Sequence, residues 1–104
     1  MIIYVDIDDT ICRTTFTDNF EDIKSVEPYP DRIAKVNKLY DEGHTIIYWT
    51  ARGTQTGVDW RASTEEQFSS WGVKYHELKF GKPVYDLFID DKNVNSEAYF
   101  NEQL

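Results

Sequence analysis

Apolar positions along this chain fall into two alternating rhythms. Ile2–Val5 is a short continuous apolar run, the pattern of a strand buried on both faces. Residues Cys12–Glu27 are polar with isolated aromatics, Phe16 and Phe20, and read as a loop or small hairpin. Pro30 suits a first helical turn. Ile33, Val36 and Tyr40, with Leu39 beside them, give a helical stripe that Gly43 stops. Thr45–Trp49 is a second strand, followed by a long polar loop, A-R-G-T-Q-T-G-V-D-W. Thr64 to Gln67 has the Thr-x-x-Gln spacing of a capping box, Phe68 and Trp71 supply the apolar face of that helix, and Gly72 ends it. Val73–His76 reads as a third strand, Tyr85–Ile89 as a fourth, and Ser96 to Leu104 as a short helix.

Strands alternating with helices predict a Rossmann-like α/β sandwich of three layers, a short parallel sheet with helices on both faces. Such sheets bind ligands beyond the carboxyl ends of their strands. That rule gives meaning to the residues at the end of each strand. The first empties into Asp6, Asp8 and Asp9; the second ends at Thr50, Ala51 and Arg52; the fourth ends at Asp90, Asp91 and Lys92, with Gly81-Lys82-Pro83 just ahead of it. Carboxylates converging from two strands suit Mg²⁺, which takes one or two carboxylates with waters and phosphate oxygens. A bound cation also explains why like charges are tolerated there. Thr50 and Lys82 add the donors a phosphate needs.

Composition narrows the partners. The 104 residues make one domain, 1–104, and 40 % hydrophobic residues suffice for one packed core. A net charge of −8 argues against non-specific binding to nucleic acid or membrane, so an anionic ligand must be held locally by a few cations or a metal. A single cysteine, Cys12, excludes an intramolecular disulfide. The opening apolar run breaks at Asp6, too soon for a signal peptide or a membrane span, and the expected location is the cytoplasm.

D-x-D-x-T after an apolar strand, Thr closing a second, G-K-P and then I-D-D occur in one fixed order. In that order the chain resembles the haloacid dehalogenase-like superfamily of phosphatases. The resemblance covers nearly the whole chain: Asp6-Ile7-Asp8-Asp9-Thr10 matches the first motif, Thr50 the second, Lys82 the third and Asp90-Asp91 the fourth. T-A-R-G, W-G-V-K-Y-H and G-K-P-V-Y-D-L-F-I-D-D-K look like a group of very small bacterial and phage members. The resemblance implies that Asp6 is the nucleophile and forms an aspartyl-phosphate. It makes Asp8 the general acid and then the base. Mg²⁺ would lie between Asp6, the Asp8 carbonyl and Asp90, with Asp91 direct or through water. Thr50 and Lys82 would hold the phosphoryl oxygens. Asp9 stands where many relatives carry Gly; a structural bond within the turn is expected of it, and Thr10 is expected to order the same turn.

Larger relatives insert a cap domain, but 39 residues separate Thr10 from Thr50 and 31 separate Thr50 from Lys82, too few for one. A fifth strand common in the family is also missing, which leaves a possible exposed sheet edge. Arg52 divides evenly between a contact to a substrate anion and a structural pair; Trp60, in a polar loop, is a substrate-contact candidate. His44 and His76 are not needed by this mechanism, Trp49 and Trp71 belong to the core, and Cys12 is buried. The expected activity is Mg²⁺-dependent hydrolysis of a small phosphate monoester, a sugar phosphate or phosphorylated alcohol by family analogy. Alternatives are a nucleotide or polynucleotide 3′-phosphatase, and a non-enzymatic receiver-like phospho-acceptor. A homo-oligomer is expected to complete the lid over the site.

Overall fold

The structure, a computed structural model, describes residues 1–17 and 23–101. Its elements are β1 (Ile2–Val5), β2 (Cys12–Phe16), β3 (Ile23–Pro28), α1 (Pro30–Asp41), β4 (Thr45–Trp49), α2 (Arg61–Trp71), β5 (Glu77–Lys79) and α3 (Ser96–Asn101). β1, β4 and β5 form a short parallel sheet with β4 in the middle, and β2 pairs antiparallel with β3. The domain is therefore α/β with a short parallel sheet. The polar stretch after β1 contains the hairpin-like pair; Phe20 and residues 102–104 lie outside the described residues.

Ile46, Ile47 and Tyr48 of β4 are all buried, as a central strand covered on both faces requires. Ile33 and Val36 bring α1 onto that strand, and Pro30 opens the helix where no backbone donor is missed. Phe68 of α2 packs edge-on against Tyr48 with ring centroids 4.9 Å apart. Ile7 and Ile11 from the turn after β1, Cys12 at the head of β2 and Leu78 of β5 fill the rest of the core. Trp71 packs against this core, as its place in the helical stripe predicts. Tyr48 leaves one polar loose end: its hydroxyl is buried and has no hydrogen-bond partner among the described residues.

Three sequence expectations need correction. Thr64 does not cap α2, which begins three residues earlier at Arg61; Thr64 is instead a buried acceptor within the helix. The third strand is Glu77–Lys79, later than Val73–His76. The Val73 N–H is spent closing α2, on the Phe68 carbonyl, and the His76 ring replaces a ladder group by accepting from the Ile46 N–H.

Tyr85–Ile89 is not a strand of this sheet; Leu87 and Ile89 are 76 % and 87 % exposed. Chain reach explains this. Lys82 is fixed at the carboxyl end of β4, its N–H on the Thr50 carbonyl. A parallel strand beside β1 would have to start level with Ile2, ~19 Å away, whereas four residues of chain span at most ~14 Å. Parallel neighbours ordinarily need a crossover of a dozen residues or more.

Candidate functional site

Asp6 and Asp8 leave β1 at the carboxyl end of the sheet, and the turn beyond them fixes them. Thr10 and Ile11 both donate their N–H to the Ile7 carbonyl, and Asp9 donates to Cys12. Asp9 takes the left-handed conformation, φ 61°, which glycine enters freely and Asp or Asn more readily than most other residues. Its Oδ1 accepts from the Thr14 N–H at 3.3 Å. Asp9 thus makes a structural bond, from the turn to β2 rather than within the turn.

The two carboxylates have different company. Asp6 Oδ2 accepts from the Thr10 hydroxyl at 3.1 Å, and Lys82 Nζ stands 3.4 Å from its Oδ1. Burial pushes the Asp6 carboxyl above its ordinary value, and nearby Asp8 adds to the rise; Lys82, the Ile7 N–H and Thr10 pull the other way. Asp8 is gripped by Arg52: Nη2 lies 2.9 Å from Oδ1 and Nε 3.1 Å from Oδ2. The Thr14 hydroxyl donates to the same Oδ1.

Arg52 spends four of its five N–H donors on structural partners. Its Nη1 donates to Thr64 and to Gln67, at 3.0 Å and 2.7 Å, and its side chain is 1 % exposed. The structural pair expected of Arg52 is present, with Asp8, and Arg52 also lines the cleft. Thr14, Thr64 and Gln67 were missed as part of the site. The signal was present in Thr64 and Gln67, one helical turn apart on a single face, but the spacing reads equally as a cap.

Thr50 is fully buried, its hydroxyl accepting from the Arg52 N–H at 3.1 Å and its carbonyl from the Lys82 N–H. Lys82 therefore reaches Asp6 from a backbone bound to β4, and its ammonium also faces the rings of Trp49 and Tyr85. Above these groups opens a cleft of about 720 Å³, lined by Asp6, Asp8, Arg52, Trp60 and Lys82 and walled by Phe16 and Tyr85. Gly53, φ 78°, shapes its rim: a Cβ there would meet the Val58 carbonyl oxygen at 2.1 Å.

Asp90 and Asp91 are not at this cleft. Both are exposed on the irregular stretch after Tyr85. Among the described residues no three metal-capable side chains stand together. The chain thus brings together Asp6, Asp8, Thr50, Arg52, Trp60 and Lys82 and leaves the second acidic pair outside. His44 and His76 are occupied elsewhere, one with the N-terminal amine and one with the Ile46 N–H. Cys12 is buried, and burial pushes its thiol up to about 11.

Comparison with known proteins adds the fold and nothing of the chemistry. No family model matches the chain, and no curated protein matches it. A crystal structure of an MCSG target from Vibrio cholerae superposes with a TM-score of 0.82 at 24 % identity, covering 100 % of this chain and 91 % of that one. Among the described residues no helix is long and apolar enough to cross a membrane.

Proposed function

We propose that this chain is a small capless phosphatase of the haloacid dehalogenase-like class, with a Rossmann-like core, that hydrolyses a small phosphate monoester through an aspartyl-phosphate on Asp6. One observation carries the reading. Asp6 points into an open cleft with one oxygen on a hydroxyl and the other beside an ammonium, two residues from a second carboxylate held separately. In-line attack needs such a nucleophile, fixed but not fully neutralised.

The reading includes Mg²⁺ as the cofactor. Asp6 and the Asp8 backbone offer oxygen ligands, and a carboxyl that burial disfavours in its charged form gains from a cation beside it. Mg²⁺ would there offset charge on the phosphoryl oxygens. The chain's own groups do the rest. Asp6 attacks phosphorus. Asp8, aimed by Arg52 and Thr14, must enter the first step holding a proton, which it passes to the leaving oxygen; as the carboxylate it later takes one from the water that frees phosphate. Lys82, which lines the cleft beside Asp6, would hold the phosphoryl oxygens, with Thr50 buried behind it as the second expected phosphate ligand. Phe16 and Trp60 frame its mouth, where a sugar or alcohol would sit. The reading includes a cytoplasmic location.

Phosphate release from an aryl phosphate with Mg²⁺, abolished in Asp6→Asn, tests this. Retained turnover in that variant excludes the covalent mechanism. Stable phosphorylation of Asp6 without release would favour the receiver-like alternative instead.

A further inference from the structure

Ten large hydrophobic residues are exposed among the described residues, and nine of them lie on two stretches. Met1, Ile2 and Tyr4 belong to β1 and its start. Val84, Tyr85, Leu87, Phe88, Ile89 and Val94 belong to the arm between Lys82 and α3. The first stretch is a strand that, among the described residues, pairs only with β4 and leaves its outer edge open. The second is strand-like in composition yet, among the described residues, joins no strand pairing. Each is what the other lacks, and the reach from Lys82 forbids their parallel pairing within one chain. The arm is rooted at both ends on its own body, at Thr50 through Lys82 and at Arg32 through Glu97, 2.9 Å away.

We propose that two copies exchange arms about a two-fold axis, so that Asp86–Asp90 of each adds as a parallel strand to the open edge of β1 in the other. Opposing Asp86 to Ile2 sets Phe88 against Tyr4 and brings Asp90 and Asp91 beside Asp6 and Asp8 of the second copy. The two bodies then lie antiparallel, side by side. Exchange of identical elements closes two edges at once, removes the apolar arm from water and yields a self-complementary dimer. The second acidic pair, outside the cleft of its own chain, becomes part of a shared site. That last step rests on the phosphatase reading; the exchange itself does not.

Two measurements separate these. A Tyr4→Cys, Phe88→Cys double variant places two thiols on directly opposed residues, within disulfide reach. Mild oxidation should give a covalent dimer of twice 12.3 kDa, while Val58→Cys, Phe88→Cys should not. An internally linked monomer, or a mass of 12.3 kDa at every concentration by light scattering, would overturn the exchange. Ile89→Asp, a change at an exposed position, should give a folded monomer by circular dichroism; a dimer unchanged in mass would likewise overturn it. Mixing Asp6→Asn with Asp90→Asn, each inactive alone, should restore about a quarter of the wild-type phosphatase rate, because half the dimers are mixed and each of those holds one intact site. No restoration beside a positive cross-link would exclude the shared site and keep the exchange. A wild type with no phosphatase activity would exclude the phosphatase reading alone.

Discussion

Replacing Arg52 with Met is the sharpest probe of the cleft's architecture. The substitution keeps an unbranched side chain of similar reach but removes a guanidinium bound to Asp8, Thr64 and Gln67. Removing one partner of a buried ion pair costs ~3–5 kcal/mol, because the other charge is left without compensation. The Asp8 side chain is 18 % exposed, so water recovers some of this and ~3 kcal/mol is the appropriate figure. In a domain of this size that lowers Tm by roughly 12–24 °C. Urea melts followed by far-UV circular dichroism at neutral pH would measure it. Asp8→Asn in the Arg52→Met background removes the orphaned charge and should return ~2 kcal/mol. Arg52→Lys keeps the charge but not the planar fork, and should fall between the two. A loss under ~1 kcal/mol in Arg52→Met, or a coupling under ~0.5 kcal/mol, would refute the assignment of Arg52 as the group that holds Asp8.

Four further outcomes are expected. Asp6→Asn should lower phosphatase turnover by at least ~10³-fold. Burial raises the Asp6 carboxyl above its unfolded value of about 3.8, so wild-type stability is fully present below that pH and declines as pH rises through the raised value; Asn does not titrate, and the stability of the variant relative to wild type should grow with pH. Melts showing that difference shrinking as pH rises would contradict the desolvated setting of Asp6. Trp60→Ala, at the mouth of the cleft, should raise KM for the natural substrate several-fold while changing kcat for a small aryl phosphate little; an equal loss in both would remove Trp60 from substrate contact. Tyr48→Phe removes a buried hydroxyl with no partner among the described residues, and should stabilise by ~1 kcal/mol in urea melts, against a destabilisation if that hydroxyl has one.

Local sequence marked what local physics decides. β4 was legible because Ile46, Ile47 and Tyr48 form an unbroken apolar run, and a central parallel strand needs little else. The turn at Asp9 was legible because a carboxylate directly after D-x-D has backbone groups within its own reach. The fork on Asp8 was not, since Arg52 arrives from 44 residues away and its other acceptors sit on α2. Thr64 and Gln67 show the ambiguity plainly. Thr and Gln three apart form a cap only if the helix starts at the Thr, and the helix start depends on where the preceding loop releases the chain.

Tyr85–Ile89 shows a different limit. Its β-rich composition predicts a strand, and composition is a statement about the partner a segment wants, not about where that partner is. Location is set by the five residues 80–84 between it and β5 and by the bond from Lys82 to Thr50. A helix in that gap would carry the chain back to the amino end of the sheet, as parallel neighbours require. Here the gap is too short, so a strand-like segment and an open strand edge coexist on one chain without meeting. Apolar side chains left in water at both places favour whatever brings the two together. When reach excludes the same chain, the nearest complementary edge belongs to another copy, and the second acidic pair travels with the strand that carries it.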